Sequence, residues 1–193
     1  MKQLLISSRN AHKITEIRAI LGRPGLEILS AADVPDLPDV EEDGDTFADN
    51  ARKKARELAV ATGLWTIADD SGLEVDALGG APGVHSARYA GRHGDDAANN
   101  RLLLERMAGR TDRGAQFHSA VALAAPDGRE WLAEGICRGT LLTEGRGTGG
   151  FGYDPLFIPE GFDRTFAELG SEVKNRISHR ARALAEARRT FPL

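Results

Sequence analysis

Two strand-like runs, residues 116–124 and 130–142, flank Pro126-Asp127-Gly128-Arg129, and this turn constrains the fold more than any other stretch of the chain. A Pro-Asp-Gly turn between two apolar runs closes a hairpin, and a hairpin requires an antiparallel pair. Elsewhere the elements read βα, αβ and α before the hairpin, then β and α after it. The expected fold is therefore α/β with a mixed sheet flanked by helices.

The elements around the hairpin follow from periodicity and breakers. Residues 3–7 predict a buried strand, and Ile14, Ile17 and Leu21 mark one face of a helix from Ala11 to Leu21. Pro35 and Pro38 make residues 31–45 a loop. Thr46 to Thr62 reads as a helix capped by Gly63, and Trp65 to Ala68 as a strand stopping at Asp69-Asp70-Ser71-Gly72. Residues 79–94 read as a Gly-rich loop, Asp95–Met107 as a helix, and Leu156-Phe157-Ile158 as a short apolar run. The stretch Ser171–Arg189 predicts a helix broken near Ile177.

Composition excludes several functions. One cysteine, Cys137, leaves no internal disulfide and no cysteine metal cluster, which suits a reducing cytoplasm. The segment Met1-Lys2-Gln3-Leu4-Leu5-Ile6 is too short for a signal peptide, and no run suits a membrane span. A net charge of −4 argues against a nucleic-acid polymer as partner, while leaving room for small anions. A chain of 193 residues fits a single domain, 1–193, or two joined lobes.

Four clusters carry chemistry. Ser8-Arg9-Asn10-Ala11-His12-Lys13 leaves a strand and opens a helix, where backbone N–H groups and Lys13 favour phosphate. A capped helix with a solvated lysine fits the same residues equally well. Glu41-Glu42-Asp43-Gly44-Asp45 lies before the helix bearing Lys53 and Lys54. Such an acid run is usually a solvated loop; one carboxylate from it and one from Asp69-Asp70 would alternatively make the kind of site that Mg²⁺ takes alongside water and phosphate. Adjacent strand residues point to opposite faces, so only one of Asp69 and Asp70 serves a given site.

Gly145-Arg146-Gly147-Thr148-Gly149-Gly150 matches a dinucleotide fingerprint in letters only, because Pro155 and an apolar run follow where a helix should. What remains is a backbone open to close approach, with Phe151 and Tyr153 able either to stack on a flat ring or to sit in the core. Lys174-Asn175-Arg176-Ile177-Ser178-His179-Arg180 is a solvated helix face or a set of donors for a purine carbonyl. The chain has no G-x-S-x-G elbow and no zinc spacing among its five histidines.

Taken in order, these clusters resemble the inosine triphosphate pyrophosphatase family, the XTP/dITP diphosphatases, from about residue 4 to residue 185. The most specific segments are Ile67-Ala68-Asp69-Asp70-Ser71-Gly72-Leu73, Gly79-Gly80-Ala81-Pro82-Gly83 with Ser86-Ala87-Arg88-Tyr89, Gly147 to Pro155, and Lys174 with Ile177-Ser178-His179-Arg180. The resemblance implies an elongated central mixed sheet, two lobes with the active-site groove between them, and a homodimer. It implies hydrolysis of ITP, dITP and XTP to monophosphate and pyrophosphate with Mg²⁺. Ser8, Arg9, Asn10, Ala11, His12 and Lys13 match the triphosphate turn, Lys54 the phosphate neighbourhood, and Glu42 and Asp70 the metal carboxylates, with Asp70 also the proton acceptor. Ser71 matches a substrate contact, while Phe151, Gly152, Tyr153, Asp154, Lys174, His179 and Arg180 match the surroundings of the base. Arg9 departs from the glycine common at that place, and a left-handed backbone there would cost about 1 kcal/mol. A nucleotide-binding module without catalysis, or a pyrophosphatase for modified pyrimidine nucleotides, are the competing readings.

Overall fold

A computed structural model describes residues 3–193; the reading of Met1 and Lys2 lies outside the described residues. Strand β1 (Gln3–Ile6) leads to helix α1 (Ala11–Leu21), short strand β2 (Glu27–Leu29) and helix α2 (Phe47–Thr62). Strand β3 (Thr66–Val75), helix α3 (Asp96–Arg106) and the hairpin of β4 (Gly114–Ala124) and β5 (Glu130–Leu141) follow. Strand β6 (Phe157–Pro159) and helices α4 (Phe166–Ile177) and α5 (His179–Thr190) complete the chain. The strands form one sheet in the order β2-β1-β3-β4-β5-β6. It is mixed, since β1 runs parallel to β2 and β3 whereas β5 and β6 are antiparallel.

The hairpin turn forms where the sequence places it. Ala125 N–H donates to the Arg129 carbonyl at 2.9 Å, Gly128 N–H donates to the Ala125 carbonyl at 3.0 Å, and the Asp127 carboxylate accepts the Arg129 N–H at 3.2 Å. Four expectations need correction. Strand β3 does not stop at Asp69 but continues through Asp69-Asp70-Ser71-Gly72 to Val75. Strand β2, unrecognised in the sequence, is three residues long and pairs with β1 only. The stretch read as loop at 79–94 holds a 3-10 turn over Gly83–Arg88. Helix α4 begins at Phe166, where Thr165 and Glu168 form a capping box, and it kinks at Gly170 (φ 78°). The break near Ile177 falls at Ser178, an extended residue between α4 and α5.

The chain divides into two compact units. One holds the chain through Asp70, Ser119–Gly135 and Arg180–Leu193; the other holds Ser71–His118 and Ile136–His179. The first unit's core gathers Leu4 and Ile6 of β1, Ile17 and Leu21 of α1, Ile67, Val121, Leu123, and Ala183, Leu184 and Ala187 of α5. In the second, Phe117, Phe157 and Phe166 pack as an aromatic cluster with Leu73, Val75, Leu103 and Met107 around it. Helix α2 buries Phe47, Ala51, Ala55, Leu58 and Ala59, spaced by three and four, and on the same buried face carries Asn50 and Lys54. Two polar residues on a helix's core face need partners, and those partners define a site.

Candidate active site

In the first unit, Asp69 and Asp70 leave β3 on opposite faces, as strand alternation requires. Asp69 Oδ1 accepts from Ser119 Oγ at 2.6 Å, and Asp69 Oδ2 meets Lys13 Nζ at 2.8 Å and Arg180 at 3.1 Å. Arg180, 1% exposed, also holds Glu16 of α1. Burial alone would raise the Asp69 pKa, but Arg180 and Lys13 outweigh it and hold the group well below the ordinary carboxylate value. Asp69 is thus a buried anion enclosed by cations.

Asp70 meets a different set. Its Oδ2 accepts from Asn50 Nδ2 at 3.1 Å, and its Oδ1 lies 3.5 Å from Lys54 Nζ. The Lys54 ammonium also donates to Glu42 at 2.9 Å and to the Asp69 carbonyl at 3.1 Å. Burial raises the Asp70 pKa, the Lys54 and Lys13 charges oppose it in part, and Glu42 and Asp69 add to the rise. Lys54 goes the other way in cause but also ends raised: burial lowers its pKa, and Asp70 and Glu42 more than restore it.

Glu42 and Asp70 therefore converge on a single positive charge. No group of three or more histidine, cysteine or acidic side chains forms a closed metal cage among the described residues. Two hard carboxylates on one cation, with the remaining positions left to water and phosphate, is the donor chemistry that Mg²⁺ accepts, so the residues present fit that ion.

The turn Ser8–Lys13 is partly self-satisfied. Asn10 caps α1, its Oδ1 accepting from the N–H groups of His12 at 2.9 Å and Lys13 at 3.2 Å, while Ser8 Oγ accepts the Asn10 N–H at 3.1 Å. The sequence reading offered these N–H groups to phosphate; in the structure Asn10 and Ser8 take three of them. Ala11 begins the helix itself. Arg9 escapes the strain expected of it, because Asp36 is the non-glycine residue at positive φ among the described residues. The Arg9 guanidinium reaches the acid loop instead, pairing with Asp39 and donating to the Leu37 carbonyl at 3.2 Å.

In the second unit, Asp154 is the hub. Its Oδ2 accepts from Lys174 Nζ at 2.6 Å and from the Phe151 N–H at 2.9 Å. The Lys174 ammonium lies 4.2 Å from the centre of the Phe151 ring, a cation–π contact. Gly150 sits at φ 72°, and a Cβ there would come within 2.1 Å of Asp154, so only glycine lets the loop close on that carboxylate. Gly152 donates to Asp96 at 2.6 Å and accepts from Asn100 Nδ2 at 2.9 Å, both on α3. Tyr153 takes the core alternative: it is buried, and its hydroxyl donates to the Ser86 carbonyl at 2.9 Å. His179 stacks on Phe117, 4.8 Å between ring centres. Ser71, next along β3, is half-buried.

The structure thus gathers Lys13, Glu42, Lys54, Asp70 and Arg180 in the first unit, and Phe151, Gly152, Tyr153, Asp154, Lys174 and His179 in the second. Arg180, expected at the base, is held by Asp69 and Glu16. Sequence reading missed Glu16, Asn50, Asp96, Asn100 and Ser119. Only spacing signalled two of them: Asn50 precedes Lys54 by one helical turn, and Glu16 follows Lys13 by three residues.

The chain is similar to known proteins along nearly its whole length. Residues 4–190 match the model of the Ham1 family. A dITP/XTP pyrophosphatase of Streptomyces avermitilis is 56% identical, with 96% of this chain and 95% of that protein covered. The protein of the same name from Mycobacterium tuberculosis is 54% identical, covering 95% and 92%. Among solved structures, the Staphylococcus aureus Ham1 protein superposes with a TM-score of 0.88 at 39% identity, covering 97% of each chain.

Proposed function

The chain belongs to the Ham1 family, and from that premise we propose that it hydrolyses the non-standard purine triphosphates ITP, dITP and XTP to the nucleoside monophosphate and pyrophosphate. The observation that carries this reading is the convergence of Glu42, Lys54 and Asp70, with Lys13 of the phosphate turn pairing with the neighbouring Asp69.

A triphosphate enters with about four negative charges, which the site must offset for attack at phosphorus. Lys13 and Lys54 provide positive charge on short tethers from α1 and α2, and the positive end of α1 adds to it. Glu42 and Asp70 would hold Mg²⁺, which would supply Lewis-acid polarisation of the phosphate. Asp70 is the proton acceptor for the attacking water. Both oxygens of Asp69 are engaged by Ser119, Lys13 and Arg180, whereas Asp70 Oδ1 lies 3.5 Å from Lys54. Lys54, already close to that carboxylate, neutralises charge as pyrophosphate leaves. Geometry and charge, more than covalent chemistry, are asked of these residues.

Base selection belongs to the second unit. Phe151, carrying the Lys174 charge on its ring, offers a face for a purine, and His179 offers a donor for the six-oxo group of hypoxanthine or xanthine. Adenine's amino group would set donor against donor, a mismatch worth about 1–3 kcal/mol. The proposal includes a homodimer acting on the cytoplasmic nucleotide pool. No helix among the described residues is long and apolar enough to cross a membrane.

Pyrophosphate release from ITP, XTP, dITP, ATP and GTP, each with Mg²⁺ and with EDTA, tests the reading. Metal-dependent pyrophosphate and monophosphate from the first three, far above ATP and GTP, is the expected result. Orthophosphate as the product, or equal rates for all five, would refute it.

A further inference from the structure

Asn50 has no place in the sequence reading, yet it is 1% exposed on the core face of α2 and makes three polar contacts. Its Nδ2 donates to Asp70 Oδ2 at 3.1 Å and, at the longer 3.4 Å, to the Gly44 carbonyl, and its Oδ1 accepts the Gly44 N–H at 2.8 Å. Lys54, one helical turn further on, meets Asp70 Oδ1 and Glu42. Each residue of this pair therefore bridges the same two elements, the end of the acid loop and the carboxylate of β3.

We infer that Asn50 is a positioning residue, aiming the Asp70 carboxylate and pinning the acid loop so that Glu42 and Asp70 address one cation. This inference rests on the pyrophosphatase reading of the site. The division of labour follows from donor chemistry. A carboxamide has a donor end and an acceptor end, so it can satisfy a carboxylate on one side and a backbone N–H on the other. An aspartate in its place offers acceptors only, leaving Asp70 Oδ2 against another carboxylate while still accepting from Gly44. An alanine releases both. Gly44 is close-packed in this arrangement, since a Cβ there would lie 2.8 Å from Asn50 Oδ1. The loop is thereby seated against the carboxamide itself.

The test compares wild type with Asn50→Ala, Asn50→Asp and Asp70→Asn in two assays: steady-state pyrophosphate release from dITP, and Mn²⁺ binding to the nucleotide-free protein followed by electron paramagnetic resonance. For both Asn50 variants kcat should fall about 10- to 100-fold with little change in KM, and Mn²⁺ affinity should fall within the same range, as is usual when a partner of a metal ligand is removed. Circular dichroism and thermal melts identify the folded fraction, and Asn50→Ala serves if the aspartate variant does not fold. A folded Asn50→Ala with unchanged kcat and Mn²⁺ affinity, or a loss of activity matched by loss of folded protein alone, overturns the assignment. Should the wild type release no pyrophosphate, the proposed function fails. The Mn²⁺ titration then decides alone, a weakened affinity upholding the role of Asn50 and an unchanged one overturning it.

Discussion

Lys174 Nζ and Asp154 Oδ2 lie 2.6 Å apart with both residues almost wholly buried, 4% and 2% exposed. Removing Lys174 takes the ammonium away from the buried Asp154 carboxylate. Lys174→Met should therefore destabilise the protein by about 3–5 kcal/mol, read as a shift in urea midpoint. The double variant with Asp154→Asn should recover part of that loss, because the buried carboxylate charge is removed with its ammonium. A double variant as unstable as the sum of the singles would show that packing, not the charge pair, sets the cost.

The Asp69 network predicts a different division. Arg180→Met strips the buried Asp69 and the half-buried Glu16 of their shared guanidinium. The expected cost is again about 3–5 kcal/mol. Urea denaturation with the activity of the folded fraction measured alongside separates the effects. A variant of normal stability that has lost only base discrimination would move Arg180 out of the framework and into the substrate site.

Asp70→Asn should behave in the opposite manner. The isosteric amide still fills the space beside Asn50 and Lys54, so the melting temperature should change little while pyrophosphate release disappears. Residual turnover near the wild-type rate would remove Asp70 from the role of proton acceptor.

Lys13→Ala should act on binding. Asp69 keeps Arg180 and Ser119 as partners, so the fold persists while the triphosphate loses one cationic contact. The KM for dITP should rise about tenfold or more, the equivalent of one charge-assisted hydrogen bond. Unchanged kinetics would count against the Ser8–Lys13 turn as the phosphate site.

Gly72 offers a purely steric test. A Cβ at this position would come within 2.4 Å of Ser86 Oγ and 2.5 Å of the Gly83 carbonyl, at the point where Ser86 Oγ accepts the Leu73 N–H. Gly72→Ala should cost about 1–3 kcal/mol through overpacking, measurable in thermal melts. A neutral outcome would mean that the Gly83–Arg88 turn yields easily.

Much of this was legible in the chain before any coordinates. The Pro-Asp-Gly turn dictated an antiparallel pair and hence a mixed sheet. The spacing of Ile14, Ile17 and Leu21 marked α1, and the cap Gly63 ended α2, because these signals are local and act through neighbouring backbone groups. The candidate site residues were named from local motifs as well, those around Asp70, Phe151 and Lys174. Tertiary structure decided the rest. Strand β3 continues through two aspartates and a glycine, residues that disfavour strands, because Lys13, Ser119 and Arg180 compensate Asp69 while Asn50 and Lys54 compensate Asp70. Those partners stand up to 111 residues away. Which of two adjacent carboxylates is enclosed by cations and which meets Glu42 across a lysine depends on burial and charge in three dimensions, and no local propensity encodes it.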